Sequence, residues 1–190
     1  MLKLADNPPV TYPETLFESG AGRWWVGHTK ARCEKAFAWD LHKLGVGYFL
    51  PLVDRISFSG GRKRHGMNAL FPSYVFFRGG EDARYRALVT GRLCQVIPVP
   101  DQGKLIEELQ HIHVALRGEA VLDPYPFAVV GQRCRVKAGP FMGVEGTVVE
   151  RQTVARIVLQ VSLLGQAVAL QIDTDLLEAL EDPKPVLSIR

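Results

Sequence analysis

The spacing of apolar positions changes along the chain, and each change predicts an element. Phe37, Leu41 and Leu44 recur at i, i+4 and i+7, the period of a helix with one buried face. They predict a helix from about Cys33 to Leu44, with Gly45 and Gly47 ending it. Before it, Arg23-Trp24-Trp25-Val26-Gly27-His28-Thr29 reads as a strand. After it, Tyr48 to Val53 reads as a second strand that continues in alternation through Arg55-Ile56-Ser57-Phe58. Gly60-Gly61 then predicts a hairpin whose tip carries Arg62, Lys63, Arg64 and His65. The return strand is Leu70-Phe71-Pro72-Ser73-Tyr74-Val75-Phe76-Phe77, the most apolar and aromatic stretch of the sequence. Pro72 has no N–H to donate, so it marks the start or edge of that strand. Glu81 to Val89 predicts a short helix with its acids in the first turn, and Leu93 to Pro98 another strand. Gly103 to Leu116 predicts a helix that buries Leu105, Leu109, Ile112 and Leu116. This order implies an α+β domain, helices packed on an antiparallel sheet.

Asp123-Pro124-Tyr125-Pro126 reads as an extended joint, because two close prolines exclude helix. Beyond it the period falls to two. Arg133 to Lys137, Val144 to Glu150, Ala155 to Val161 and Val168 to Ile172 read as four short strands separated by Gly turns. They predict a small all-β barrel of SH3-like type. Gly146 is expected as a bend or bulge in its strand, and Asp173 or Asp175 as a cap before Leu176-Leu177. The expected organisation is a flexible tail over 1–20, the α+β domain over 21–119, a linker over 120–128, the barrel over 129–182 and a short tail over 183–190.

Composition refines this picture. The net charge of +3 is unevenly spread: residues 21–119 hold 15 Lys or Arg against 9 Asp or Glu, while 129–182 hold 5 against 7. Only the front half suits a polyanion. Cys33, Cys94 and Cys134 show no paired spacing, which argues against disulfides or a zinc knuckle and for a reducing cytosol. They are expected to be buried. His111 and His113, two apart on a helix, point to different sides and cannot share a metal ion. There is no phosphate loop, no dinucleotide fingerprint, no HExxH and no nucleophile elbow. The chain therefore reads as a binding protein, with no catalytic residue, metal or cofactor expected.

Two surfaces are candidates for binding. Part of the aromatic stretch 70–77 is expected to reach the surface as a docking patch. On the first helix, Trp39 falls about 200° from Phe37, with Lys35, His42 and Lys43 near it on the outer face. A Trp among cations offers a stacking plate and phosphate donors together. Against this stands burial of Trp39 under a loop or the N-terminal tail.

Two segments together resemble one family. Val130 to Val148, through Lys137-Ala138-Gly139-Pro140-Phe141-Met142-Gly143, looks like the KOW motif of the NusG family. Leu70 to Phe76 resembles the LFPGY-type signature of that family's N-terminal (NGN) domain, and the Trp24-Trp25 strand followed by the Glu34–Leu41 helix is similar too. The resemblance implies a transcription elongation or antitermination factor. Its NGN domain would dock on the clamp helices of RNA polymerase and suppress pausing or termination. The polymerase-binding residues implied are Trp25, His28, Phe71, Pro72, Tyr74, Phe76, Leu93 and Ile97. Those implied to approach the non-template DNA strand are Lys30, Lys35, Trp39, Lys43, Arg62, Lys63, Arg64 and Arg92. The KOW barrel would meet a small-subunit ribosomal protein or the termination factor Rho through Gly139, Pro140, Phe141, Met142, Gly143 and Leu164. The expected protein is a monomer, cytoplasmic and independent of membranes.

Some positions depart from the general pattern. Ser73 stands where Gly is common, Leu164 where an aromatic is common, and Ala167-Val168-Ala169 replaces a Thr-Pro-Val pattern. These departures resemble the specialised RfaH-like paralogs and count against a Rho contact. A helical state of 154–181 is the alternative to the barrel, opposed by strict alternation over 155–161. A KOW-containing RNA-binding or ribosome-associated protein is the alternative function, with Arg133, Arg135 and Lys137 as its basic row.

Overall fold

The computed structural model describes residues 7–18, 22–59, 62–125, 131–151 and 154–180. For residues 56–59, 62–65, 124, 150, 151, 154 and 155 the description is of the backbone alone. The chain divides into two compact units, 1–110 and 111–190.

The first unit is built on a five-stranded antiparallel sheet. Its strands are β1 (Thr11–Tyr12), β2 (Arg23–Thr29), β3 (Gly47–Phe49), β6 (Tyr74–Gly79) and β7 (Leu93–Pro98), in the order β1-β3-β6-β2-β7. The aromatic β6 is therefore the central strand. Its alternation splits the apolar residues between two faces. Val75 and Phe77 share one face with Trp25 and Tyr48, and there they pack with Phe37, Ala38 and Leu41 of helix α1 (Glu34–Lys43) and Ala87 of helix α2 (Glu81–Val89). Each large side chain fully buried in that layer contributes roughly 1.5–3 kcal/mol by the hydrophobic effect. Gly45, at φ +65°, ends α1 as expected, and the N–H groups of Gly45 and Val46 bond back to the carbonyls of His42 and Leu41. These close the last turn.

Three expectations change in this unit. The stretch 48–58 is not one strand. It breaks at Leu50-Pro51, and β4 (Leu52–Ser59) leaves the sheet to pair with β5 (Arg62–Ala69) as a separate ribbon. Pro51 cannot donate to a ladder, so the chain changes partners there. The expected Gly60-Gly61 turn lies outside the described residues. The return strand of the hairpin is 62–69, and Leu70 to Ser73 form a turn before β6.

The N-terminal segment is also not a loose tail where it is described. β1 pairs with β3 through Thr11 with Phe49 and Tyr12 with Tyr48. Leu16 is buried, and the Phe17 ring lies 5.4 Å from Trp24 and 5.3 Å from Phe49. The Arg78 guanidinium donates to the Leu16 carbonyl at 3.0 Å. A two-residue strand is invisible to periodicity, and its partners on β3 lie 38 and 36 residues further along the chain.

The second unit holds a six-stranded antiparallel sheet of β8 (Asp123–Tyr125), β9 (Gln132–Val136), β10 (Glu145–Arg151), β11 (Val154–Val161), β12 (Gln166–Asp173) and β13 (Leu177–Ala179), in the order β13-β9-β10-β11-β12-β8. The division between units falls inside helix α3 (Gln102–Arg117). Asp123 to Tyr125, expected as linker, pairs with Ala167 to Ala169 of β12. Gly146 is not the bulge. The ladder between β10 and β11 shifts register between Val148 and Glu150, while Gly146 sits where a Cβ would lie 2.6 Å from the Val158 carbonyl oxygen. Asp173 precedes a 3₁₀ turn over Thr174–Leu176 but makes no side-chain cap. Among the described residues, no helix is long and apolar enough to cross a membrane.

Candidate functional site

The sheet face opposite α1 and α2 carries Trp24, Val26 and His28 of β2, Tyr74 and Phe76 of β6, and Gln95 and Ile97 of β7. Register sets these side chains in rows. One row is Tyr74, His28 and Gln95, and the next is Phe76, Val26 and Ile97. At the first row the His28 and Tyr74 rings stack, centroids 5.1 Å apart and planes 23° from parallel. Both are half-buried, Gln95 is exposed and Ile97 half-buried. Under the second row Phe71 meets Phe76 edge to face at 6.1 Å, and both are fully buried.

The turn at this end is held from two sides. Ser73 has φ +68°, a conformation that favours glycine. The Glu34 carboxylate of α1 accepts the Ser73 N–H at 2.7 Å, and the Thr29 N–H donates to the Ser73 carbonyl at 2.8 Å. Pro72 is thereby presented to solvent beside Tyr74.

The eight residues expected at the polymerase do not form one surface. Pro72, His28, Tyr74 and Ile97 reach solvent on or beside this face. Phe71 and Phe76 lie beneath it. Trp25 and Leu93 fall on the other face, in the layer covered by the helices; the Trp25 Nε1–H donates to the Gly79 carbonyl at 3.1 Å. Trp25 and His28 are three apart on a strand, so they must face opposite ways. Gln95 was not singled out from the sequence, because its row is fixed only by the pairing of β7 with β2.

The second candidate surface is the outer side of α1. Lys43 is exposed, and Lys35 and Trp39 are half-buried. Partial burial lowers the Lys35 ammonium pKa, with the neighbouring Glu34 charge opposing it. The His42 ring lies between two others, 4.3 Å from Tyr12 and 5.5 Å from Trp39. Arg92 is engaged: its Nε–H donates to Asp40 of α1 at 2.9 Å, and that bond raises its pKa. Lys30 donates its ammonium to the Gly91 carbonyl at 2.7 Å. Lys30 and Arg92 thus flank α1 at the start of β7. The backbone of Arg62, Lys63 and Arg64 lies in β5, opposite Ser59, Phe58 and Ser57; their side chains lie outside the description. Asp40 and Tyr12, which define this surface, carry no sequence signal of their own.

In the second unit, Gly139 (φ +87°) and Gly143 (φ +85°) bound the turn that projects Pro140, Phe141 and Met142. The N–H groups of Met142, Gly143 and Val144 close it onto Gly139, Val136 and Phe141. Met142 is 66% exposed, and Phe141 is half-buried at an open cleft of about 490 Å³ shared with Tyr125, Arg156, Glu119, Asp123 and Gln171. Leu164 sits on a separate 3₁₀ turn, ended by Gly165 at φ +59°, and does not line this cleft. Arg133 and Arg135 both donate to Glu145, at 3.1 Å and 2.6 Å, and Arg135 also pairs with Glu178. Of the cysteines only Cys134 is buried; Cys33 is half-buried and Cys94 exposed.

The sheet end thus bears stacked rings, and the outer side of α1 bears cations and a Trp. Residues 22–110 match the family model NusG, described as "Transcription termination factor nusG". Over these residues, a little under half of the chain, the sequence is similar to the NusG family of transcription factors. Among solved structures, one described as "Domain interaction in Thermotoga maritima NusG" is 20% identical, covers 85% of this chain and 98% of its own, and superposes with a TM-score of 0.47. No curated protein matches the sequence.

Proposed function

We propose that this protein is a NusG-family elongation or antitermination factor that docks on the clamp helices of RNA polymerase. The contact is the accessible end of that sheet face, formed by His28, Tyr74, Pro72 and Ile97, with Gln95 in the same row. The observation that carries this reading is the His28–Tyr74 stack in register with Gln95, which leaves aromatic edges and apolar surface at one accessible end of an otherwise buried face. Phe71 and Phe76 support that surface from below, and Glu34 fixes its turn. The outer face of α1, with Lys30, Lys35, Trp39, Lys43 and Arg92, and the β4–β5 ribbon with Arg62, Lys63 and Arg64, approaches the non-template strand. Docking holds the clamp closed and suppresses pausing or termination.

The second unit is a KOW barrel that recruits a partner through Gly139 to Gly143, with Phe141 and Met142 as its apolar contacts. A small-subunit ribosomal protein fits this role better than Rho, since Leu164 lacks the aromatic ring and stands apart from the Phe141 cleft. With Ser73 and Ala167 to Ala169, these departures favour a specialised, RfaH-like paralog. Glu145, shared by Arg133 and Arg135, and Glu178 beside Arg135 offset two of the three charges of the basic row that an RNA-binding barrel would need, leaving that of Lys137.

Binding of the full chain to bacterial core RNA polymerase, with a pause assay on a long template, tests the reading. His28→Ala/Tyr74→Ala should keep the melting profile of the first unit and lose polymerase binding and pause suppression. Wild-type binding left intact by this pair would exclude the proposed face.

A further inference from the structure

The cleft at Phe141 is built entirely from residues of the second unit. Its floor follows from the register of three strands. Ala169 of β12 stands between Val158 of β11 and Asp123 of β8, and the next row sets Ala167 beside Tyr125. Two methyl groups on this face leave a depression, and Tyr125 packs at its edge against Val158, Ala167 and Ala169. Phe141 forms another wall. Its ring lies on Gly118, where a Cβ would come within 2.6 Å, so glycine is what lets the ring settle there. The rim is acidic: Glu119 and Asp123 are exposed, and neither makes an ion pair among the described residues. The cation of the lining, Arg156, already lies over the Tyr125 ring at 6.0 Å. Glu119 also departs from its local geometry. The N–H groups of Glu119 and Ala120 bond back to the carbonyls of Leu116 and Ala115, a helix end whose left-handed position is usually glycine. Glu119 holds that position at φ +59°, so the chain keeps a carboxylate at the rim against a backbone cost.

We infer that this cleft takes a lysine or arginine side chain from an extended segment of the partner protein, with its aliphatic stem on Ala169 against the Phe141 ring and its cation at Glu119 and Asp123. A long cationic side chain covers apolar surface with its stem and keeps its head in water, which is what an apolar floor under an acidic open rim requires. Two carboxylates without ion pairs, against one guanidinium engaged with a ring, make a cation the complementary charge. An RNA phosphate would meet the same two carboxylates and be repelled. Val121, 78% exposed at the cleft, and Met142, 66% exposed on the neighbouring turn, offer apolar contact to the residues that flank the cation. The inference rests on the reading of the second unit as a recruiting module and states the chemistry of what it recruits.

The test follows backbone amide shifts of the full chain by NMR during titration with an acetylated, amidated Leu-Lys-Leu peptide, its norleucine and glutamate counterparts, and oligouridylate. The lysine peptide should shift the amides of Asp123, Phe141 and Ala169. It should bind more tightly than the norleucine peptide, by about 2- to 5-fold for each carboxylate engaged, and the margin should shrink as salt rises. Glu119→Gln and Asp123→Asn should each remove that factor and leave norleucine binding unchanged. Glu119→Gly separates the site from the fold. It relieves the left-handed backbone, so it should melt no lower than wild type by circular dichroism, yet bind the lysine peptide as weakly as Glu119→Gln. No shift of these amides by the lysine peptide, equal affinity for all three peptides, or unchanged lysine binding in both carboxylate variants would overturn the inference. Oligouridylate shifting Ala169 more than the lysine peptide does would also overturn it and make the cleft an RNA site. Failure of the full chain to bind small ribosomal subunits, with the lysine preference intact, would instead remove the ribosomal partner and leave the specificity of the cleft standing.

Discussion

Replacing Glu34 by alanine should loosen the turn that carries Pro72 and destabilise the first unit. The Glu34 carboxylate accepts the Ser73 N–H at 2.7 Å, a charge-assisted bond between half-buried groups. Such bonds contribute about 1.5–3 kcal/mol, and partial exposure places this one near the lower end. Glu34 also sits in the first turn of α1, where losing an acid costs about 0.5 kcal/mol. The sum is about 2 kcal/mol, or a fall in Tm of about 8–16 °C for a unit of this size. Glu34→Gln keeps an acceptor but loses the charge, and should cost about half as much. Melting followed by tryptophan fluorescence isolates the effect, because no tryptophan lies in 111–190. Ser73, held at φ +68°, supplies a second arm: Ser73→Gly should relieve the left-handed strain and recover part of the loss in the Glu34→Ala background. If Glu34→Ala melts within the error of wild type, the bond does not hold the turn. If alanine and glutamine cost the same, the helix dipole, and not the hydrogen bond, is the operative term.

Other outcomes follow from particular contacts. Gly146→Ala places a Cβ 2.6 Å from the Val158 carbonyl oxygen and against the Ile157 side chain, so β10 and β11 must part; a loss of about 1–3 kcal/mol or more is expected in urea unfolding monitored by circular dichroism. Tyr48 is fully buried, and its hydroxyl has no hydrogen-bond partner among the described residues, so Tyr48→Phe should be neutral or stabilising by up to about 1 kcal/mol in thermal melts. Burial, with Tyr12 as a lesser cause, raises the Tyr48 phenol pKa above its ordinary value of 10.0. The unfolded phenol therefore ionises first, and wild type should lose stability as pH rises above about 10 while Tyr48→Phe loses less. Asp40→Asn should free the Arg92 guanidinium and tighten oligothymidylate binding with a steeper salt dependence; an unchanged salt slope would show that Arg92 does not face the strand.

The sequence by itself determined the elements whose residues repeat at a fixed period. The helices over 34–43 and 102–117 and the strand over 132–136 follow from spacing alone, because a helix or a strand with one buried face must repeat apolar residues at its own pitch, whereas the helix over 81–89 was read from the acids of its first turn. The resemblance to a family was legible for a related reason: the turn residues around Pro72 and Pro140 are tied to local backbone geometry. Only the tertiary structure decided which face of the sheet the helices cover. That choice put Trp25 and Leu93 in the core and His28 and Tyr74 at the open end. It also decided that Phe71 and Phe76 support a surface instead of forming it, since apolar character marks burial and docking alike. Pro51 was visible, but that it sends β4 out of the sheet depends on what β3 finds to pair with. Tyr12 and Gln95 gain their roles from residues 36 and 67 positions away, Tyr48 and His28. Contacts at that separation leave no trace in local spacing, and they are what assemble this site.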